Sequence, residues 1–154
     1  AQCLVGSEMC ISDRVWRGLN TDEVAEPNTF AITAAVAAFT EGGPWLDELR
    51  AYLAGNKRAV RAAVDEYNAS VDTARRVTLV EGDATYLLWL DCSALTDDTE
   101  RLCDHLFAEQ RLMLSPGAQF GGNGRYFVRI NAATQRERMA EGMRRLTAGL
   151  RSFR

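Results

Sequence analysis

The stretch Tyr126-Phe127-Val128-Arg129-Ile130-Asn131 has the alternating pattern that predicts a β-strand. Successive side chains of a strand point to opposite faces of its sheet. The side chains of Tyr126, Val128 and Ile130 therefore share one face, and Arg129 points to the other. An apolar face of this kind needs a partner layer.

A helix is predicted immediately after this strand. Thr134 and Glu137 have the spacing of a capping box, which marks a helix start. Apolar residues then recur every three or four positions, as on one buried helix face: Met139, Met143, Leu146, Leu150 and Phe153. A strand followed by an amphipathic helix indicates an α/β fold.

Residues from about 71 onward continue this alternation of strands and helices. We predict strands at residues 76–80, 85–90 and 112–114, the second of them central because it is apolar on both faces. A helix is predicted to begin at Thr96-Asp97-Asp98. Its apolar side would contain Leu102, Leu106 and Phe107.

The first 70 residues follow a different pattern. Residues 3–11 predict one strand and residues 20–27 an extended loop, after which Asn28 is placed to cap a helix. A buried stripe is predicted on that helix, formed by Ile32, Ala35, Val36 and Phe39. A second helix is predicted from about Pro44 to Tyr67, roughly 35 Å long, a length suited to bridging two domains.

Composition argues against several kinds of partner. A formal net charge of −3 gives no reason to expect a nucleic acid or an anionic membrane, and no apolar run approaches the roughly 18 residues of a membrane span. The four cysteines form no C-x-x-C pair and there is one histidine, so no metal site is expected. Buried free thiols in a reducing cytoplasm are the simpler interpretation, and no signal peptide is visible.

Arg129 is the candidate for ligand binding. A guanidinium fixed on a strand is a rigid and permanently charged fork that suits a carboxylate. The alternative is an arginine on an edge strand that forms an ordinary salt bridge, and periodicity alone favours that alternative.

The loop from Ser115 to Gly124 contains four glycines in ten residues. Such a loop lets backbone approach a ligand closely, although an ordinary surface loop can have the same composition. It lacks the glycine spacing of a dinucleotide fingerprint and of a P-loop. His105 has no evident serine or cysteine partner, so a catalytic triad is not predicted.

Several segments together resemble the class I and II aminotransferase fold and, within it, the cystathionine β-lyase-like branch. They are residues 43–49 with 52–56, 83–91, 114–121 and 127–131. The resemblance implies the C-terminal part of a fold-type I enzyme that uses pyridoxal 5′-phosphate (PLP). Residues 1–43 would be the remnant of its large, cofactor-binding domain and 44–70 a long interdomain helix. Residues 71–154 would form the small domain, a mostly antiparallel sheet with helices on one side.

The resemblance also implies roles for single residues. Arg129 falls where the family places the arginine that grips the substrate's α-carboxylate. Gly117, Phe120 and Asn123 belong to a loop beside that site. Asn28 matches an asparagine of a loop that, in family dimers, approaches the neighbouring subunit's active site. We therefore expect an amino-acid substrate and a homodimer.

The lysine that holds PLP as a Schiff base is expected upstream of Ala1, because Gln2-Cys3-Leu4 aligns with a turn that follows this lysine in the family. Lys57 is the one lysine in the sequence, and its context differs. We expect the chain alone to bind no PLP and to be inactive, and the parent enzyme to catalyse C–S β-elimination or transamination. The alternative is a stand-alone, non-catalytic carboxylate-binding or interaction module.

Overall fold

The structure is a computed structural model that describes residues 28–80, 82 and 84–154. The chain divides into two compact units, Ala1–Leu46 and Asp47–Arg154. The strand predicted at residues 3–11 and the loop predicted at 20–27 lie outside the described residues. The domain boundaries predicted above stay a prediction.

Helix α1, Thr29–Glu41, lies in the first unit. Asn28 caps it as predicted, because its side-chain oxygen accepts a hydrogen bond from the backbone N–H of Ala31 at 2.8 Å. The predicted burial of the apolar stripe is wrong for this chain. Ile32 is 57% and Phe39 93% exposed, because periodicity marks an apolar side of a helix without identifying what covers it.

Helix α2, Gly43–Ala69, is the predicted long helix, with 27 residues and a length of about 40 Å. Gly42 separates it from α1. A Cβ at Gly42 would lie 2.3 Å from the carbonyl oxygen of Ala38, so only glycine fits this connection without a shift. The division between the two units falls inside α2, after Leu46. The buried residues of the helix all belong to the second unit: Asn56, Val60, Val64 and Tyr67.

The second unit contains a four-stranded antiparallel sheet with the strand order β1-β2-β4-β3. The strands are β1 Thr78–Leu79, β2 Leu87–Asp91, β3 Ser115–Pro116 and β4 Phe127–Asn131. The central position predicted for the second strand is confirmed. Its start is two residues later than predicted because Thr85 has a positive φ of 61°, which extended backbone does not allow.

The strand predicted at residues 112–114 is wrong. Arg111 adopts the left-handed conformation at the end of the preceding helix, and the N–H of Leu112 donates to the carbonyl oxygen of Leu106. This backbone therefore caps the helix instead of pairing with the sheet. Strand pairing begins only at Ser115, opposite Arg129. The strand predicted at residues 76–80 is likewise reduced to two paired residues.

Helix α3, Thr99–Gln110, begins after Asp98, whose side chain accepts a hydrogen bond from the N–H of Arg101. Its buried stripe consists of Thr99, Leu102, Cys103 and Leu106. Phe107 is 50% exposed, so its predicted place on the apolar side is wrong. Cys103 lies four residues earlier on the same side of the helix, and it is buried where Phe107 is exposed.

Helix α4, Arg136–Ser152, contains four of the five residues of the predicted apolar seam, and the fifth, Phe153, is its C-cap. All five seam residues are buried. The predicted capping box is wrong. Gln135 occupies the N-cap position without a side-chain bond, and the N–H of Arg136 instead donates to the hydroxyl oxygen of Tyr52 in α2. A tertiary contact thus satisfies a helix end that the sequence pattern gave to Thr134.

One apolar core joins the three helices of the second unit to one face of the sheet. The sheet contributes the buried side chains of Leu88, Leu90, Val128 and Ile130. The opposite face of β2 and β4 carries Trp89, Phe127 and Arg129, which are half-buried. Among the described residues, no helix is long and apolar enough to cross a membrane.

Candidate functional site

Arg129 lies at the centre of the sheet. Its strand, β4, is paired on both sides, and the Cα partners of Arg129 are Trp89 in β2 and Ser115 in β3. The alternating pattern of β4 buries Val128 and Ile130 in the core and directs Arg129 to the other face. Its backbone is therefore fixed by two neighbouring strands, which rules out the edge-strand arginine considered from the sequence.

The guanidinium of Arg129 is stacked on an aromatic cluster. Its central carbon lies 4.3 Å from the centroid of the Phe120 ring, a cation–π geometry. Trp89 meets Phe120 edge-on, with ring centroids 5.4 Å apart, and meets Phe127 in the same way at 6.4 Å. These contacts restrict the rotation of the arginine side chain and orient its plane.

The polar edge of this guanidinium has no protein partner within residues 28–80, 82 and 84–154. Salt bridges in that part of the chain join other arginines to Asp47 and Glu141, and no side-chain hydrogen bond involves Arg129. The salt bridge that periodicity favoured is therefore not formed there. A half-buried guanidinium with unused N–H donors suits a planar, bidentate anion such as a carboxylate.

The glycine-rich loop closes on itself. A Cβ on Gly117 would lie 2.4 Å from the carbonyl oxygen of Gly124, and one on Gly124 would lie 2.1 Å from that of Gly117. Gly121 and Gly122 instead have positive φ angles of 79° and 59°. The glycines thus let the loop fold tightly, and this compact loop presents the ring of Phe120 to Arg129.

Four of the predicted site residues come together on this face. A depression of about 260 Å³ is lined by Gly117, Phe120 and Asn123. A second one, of about 220 Å³, is lined by Arg129, and Trp89 lines both. Asn28, the fifth predicted residue, is described only as the cap of α1 in the first unit.

Trp89 and Asn56 are two further residues that contact β4 or the segment after it. The position of Trp89 beside Phe120 depends on strand register, which periodicity does not specify. Asn56 had a detectable signal, because it is a polar residue on α2 in phase with the apolar stripe that includes Leu53 and Val60. It is 2% exposed, and a polar group buried in a helix–sheet interface must have hydrogen-bond partners.

The described residues near Arg129 suit a carboxylate better than they suit PLP. No lysine lines either depression beside Arg129. Lys57 is half-buried on α2 and lines a separate depression of about 590 Å³ with Arg50 and Tyr86. A PLP group attached to a lysine would therefore have to be held by residues other than those that line the two depressions beside Arg129.

The buried cysteines of the second unit are poor nucleophiles. Burial raises the pKa of the Cys92 thiol to about 12, with Asp91 adding to the effect. Burial also raises the pKa of Cys103 to about 12, helped by Asp104 and Glu100. Both thiols are free, and at neutral pH they are protonated, so they act as small core residues.

His105 contacts Ser152 without forming a triad. Its Nε2 lies 2.9 Å from the Ser152 hydroxyl oxygen on the exposed side of α3 and α4. The same ring meets Phe153 edge-on. Among the described residues, no carboxylate is hydrogen-bonded to this histidine, so the pair lacks the third group of a nucleophilic site.

Comparison with known proteins identifies the family. Residues 17–146 match the family model of aminotransferase class I and II. The chain belongs to this family. It is 34% identical over 153 residues to cystathionine beta-lyase PatB of Bacillus subtilis, covering 96% of this chain and 38% of that protein. It is also 34% identical to protein MalY of Escherichia coli, covering 86% of this chain and 33% of that protein. The chain therefore spans about a third of the length of these aminotransferase-family relatives.

Solved structures support the same family fold. The PLP-bound putative aminotransferase from Clostridium difficile 630 superposes with a TM-score of 0.75 and 27% identity, covering 87% of this chain and 33% of that chain. The PLP-bound C-S lyase from Staphylococcus hominis gives a TM-score of 0.71 at 24% identity, over 86% and 34% of the two chains, and shows the fold alone. The predicted fold class and the resemblance to this family are confirmed, as is PLP as the cofactor of such enzymes.

Proposed function

We propose that this chain forms the substrate-carboxylate-binding part of a PLP-dependent enzyme that cleaves C–S bonds of amino acids by β-elimination. The observation that carries the proposal is the guanidinium of Arg129. It is fixed on a central strand, stacked on Phe120, and forms no ion pair within the described part of the chain. A carboxylate would complete its hydrogen bonding.

An α-carboxylate matches Arg129 in charge and shape. Two parallel N–H···O bonds would hold it in the plane of the guanidinium, which Phe120 already fixes. With its carboxylate held in this way, the substrate would have a fixed orientation at Cα. That orientation determines which bond at Cα is aligned for cleavage. When bound, PLP supplies the electron sink for that cleavage. The chain's own part is to bind and orient.

The choice of β-elimination rests on similarity to PatB, whose printed name is cystathionine beta-lyase. Transamination is the second candidate, because the family model and a solved neighbour are those of aminotransferases. The two reactions differ in what they consume. Elimination from an S-substituted cysteine releases a thiol, and water hydrolyses the remaining enamine to pyruvate and ammonia, so no second organic substrate is consumed. Transamination needs a 2-oxo acid as acceptor. An assay for ammonia without added 2-oxo acid separates them.

A stand-alone carboxylate-binding module is the third candidate, and the exposure of α1 argues against it. Ile32, Val36 and Phe39 share one side of this helix and are all exposed. Monomeric soluble proteins rarely expose contiguous apolar surface of this kind, which marks a contact with another layer of protein. We propose that this layer belongs to the same enzyme.

We also propose that the enzyme is a homodimer in the cytoplasm. Its free, buried thiols, Cys92 and Cys103, are consistent with a reducing compartment. The role proposed for Asn28 at a neighbouring subunit belongs to this part of the proposal. Sedimentation of the full-length protein would test the dimer, and a monomer that turns over substrate at the full rate would contradict it.

The experiment is kinetic and uses the full-length protein with PLP. Arg129→Ala should lower kcat/KM for an amino-acid substrate by about tenfold to several hundredfold, the range expected for a lost charge-assisted, bidentate contact. Cofactor absorbance should be unchanged. Arg129→Lys should restore only part of the loss, because an ammonium group is a point charge and not a planar fork.

Arg125→Ala is the matched control. Arg125 lies four residues away, and its guanidinium stacks on the ring of Tyr126 at 4.6 Å. It is exposed and lines neither depression beside Arg129. Its loss should change kcat/KM by less than about twofold. If Arg129→Ala releases the cofactor while KM is unchanged, or if the two variants behave alike, the proposal is wrong.

A further inference from the structure

Asn56 ties helix α2 to the segment that follows β4. Its side-chain Nδ2 donates hydrogen bonds to the carbonyl oxygens of Ala132 and Thr134, both at 2.8 Å. One turn earlier in α2, the hydroxyl of Tyr52 accepts a hydrogen bond from the N–H of Arg136 at 3.0 Å. Two side chains of one helix therefore hold the connection between β4 and α4.

The part of β4 that follows Arg129 has a partner strand on one side only. Strand β2 pairs with all five residues of β4, whereas β3 pairs only with Val128 and Arg129. A cavity of about 820 Å³ is lined by Ile130 and Asn131, which β3 leaves unpaired. No strand covers this side of the end of β4. The next residue, Ala132, is held by its N–H, which donates to the carbonyl oxygen of Tyr86 at 2.9 Å, and by its carbonyl oxygen, which accepts from Asn56.

We propose that Asn56 is a positioning residue for Arg129. By anchoring the carbonyl groups of Ala132 and Thr134 to α2, it holds the end of β4 in place, so that the guanidinium meets the substrate's carboxylate in the correct orientation. This inference rests on the proposed function, because it assigns Asn56 a role only through the carboxylate contact of Arg129.

The test compares two ligands in the full-length protein with PLP, an amino-acid substrate and the amine that lacks its carboxylate. Asn56→Ala should raise the Kd of the amino acid about three- to tenfold, which corresponds to the net contribution of one or two hydrogen bonds. The Kd of the amine should change by less than about twofold. In an Arg129→Ala background, Asn56→Ala should have no further effect on the preference for the carboxylate, because the two residues act through one contact.

Asn68→Ala is the matched control. Asn68 lies on the same helix and also forms two hydrogen bonds to backbone, from Nδ2 to the carbonyl oxygen of Val77 at 2.7 Å and from the N–H of Val77 to Oδ1 at 3.0 Å. It holds the segment before β1, and β2 separates that strand from β4. Its loss should reduce stability as Asn56→Ala does, and leave the preference for the carboxylate unchanged.

A milder variant keeps the test decisive if Asn56→Ala does not fold. Tyr52→Phe removes one oxygen from a less buried contact of the same connection, and it should lower the preference for the carboxylate about twofold.

If Asn56→Ala and Asn68→Ala lower this preference equally, or if Asn56→Ala and Tyr52→Phe leave it unchanged, the positioning role is overturned. In that case a strong effect of Arg129→Ala would leave the proposed function standing. If Arg129→Ala itself has no effect on the preference, the proposed function fails first.

Discussion

The guanidinium of Arg129 lies over the ring of Phe120, with 4.3 Å between its central carbon and the ring centroid. The two residues come from different elements, a central strand and a glycine-rich loop. Their contact means that the conformation of the loop and the orientation of the arginine depend on each other. A change in either one should be detected as a change in carboxylate binding.

Phe120→Ala should weaken the binding of an amino-acid substrate about two- to fivefold. The estimate follows from a cation–π contact at a partly exposed site, which contributes about 0.5–1 kcal/mol. Phe120→Leu should give a similar loss, because leucine keeps apolar volume without an aromatic face. The measurement is the Kd of the substrate in the full-length protein with PLP, taken from the change in cofactor absorbance.

Phe107→Ala is the control for that prediction. Phe107 is 50% exposed and Phe120 is 48% exposed, so the two substitutions remove a similar amount of surface. Phe107 lies on α3 and lines neither depression beside Arg129. An equal loss of substrate affinity in both variants would show that the ring of Phe120 does not act through Arg129.

Much of the second unit could be predicted from local sequence patterns. The seam of α4, the central position of β2 and the long α2 all follow from periodicity, because each element buries one face against a neighbouring layer. Asn28 as the cap of α1 follows from the chemistry of a single side chain. These features need no knowledge of which segments become neighbours in space.

The errors have three different causes. The start of α4 is satisfied by Tyr52, which is 84 residues away in the sequence, and not by Thr134. The predicted strand at residues 112–114 is lost because Leu112 completes the end of α3. The apolar stripe of α1 was predicted to be buried and is exposed, because burial depends on a partner layer that periodicity does not identify.

For the candidate site, the sequence predicted the residues better than their surroundings. Arg129, Gly117, Phe120 and Asn123 were placed together by resemblance, and three of them line one depression. The stacking of Arg129 on Phe120 depends on how the loop folds, which composition does not specify. The composition of the loop fits either a ligand site or an ordinary surface loop, and it does not specify that Gly117 and Gly124 bring the two ends of the loop into contact.

Two glycines of α4 should respond to alanine in opposite directions. A Cβ on Gly149 would lie 2.3 Å from Cδ2 of the fully buried Leu106, so Gly149→Ala should destabilise the chain by about 1–3 kcal/mol. Around Gly142, no atom lies within 4 Å of the added Cβ. Gly142→Ala should stabilise the chain by about 0.4–1 kcal/mol, because alanine restricts the unfolded chain. Urea unfolding of both variants measures the difference. Equal effects would mean that α4 does not pack on α3 at Gly149.

The ion cluster on α4 should make stability depend on acid pH. Hydrogen bonds from Arg144 and Arg145 lower the pKa of Glu141 from 4.5 to about 2. A carboxylate whose folded pKa is depressed stabilises the protein above its unfolded pKa, and this contribution is lost as pH falls through the folded value. The stability difference between wild type and Glu141→Gln should therefore be constant from neutral pH to about pH 5, and should shrink between about pH 4.5 and 2.

Glu109→Gln serves as the control for this pH dependence. Glu109 is exposed on α3 and takes part in no ion pair within the described part of the chain. Its substitution should leave the pH profile of urea unfolding close to that of the wild type. A stability difference for Glu141→Gln that stays constant down to pH 3 would contradict the shifted pKa.

The most direct test of the account is the preference of the full-length protein for an amino acid over the amine that lacks the carboxylate. Both Kd values are measured for the wild type and for Arg129→Ala with PLP bound. We predict that Arg129→Ala lowers the preference for the amino acid by at least about tenfold, mainly through weaker binding of the amino acid. An unchanged ratio of the two Kd values would contradict the assignment of Arg129 as the residue that binds the carboxylate.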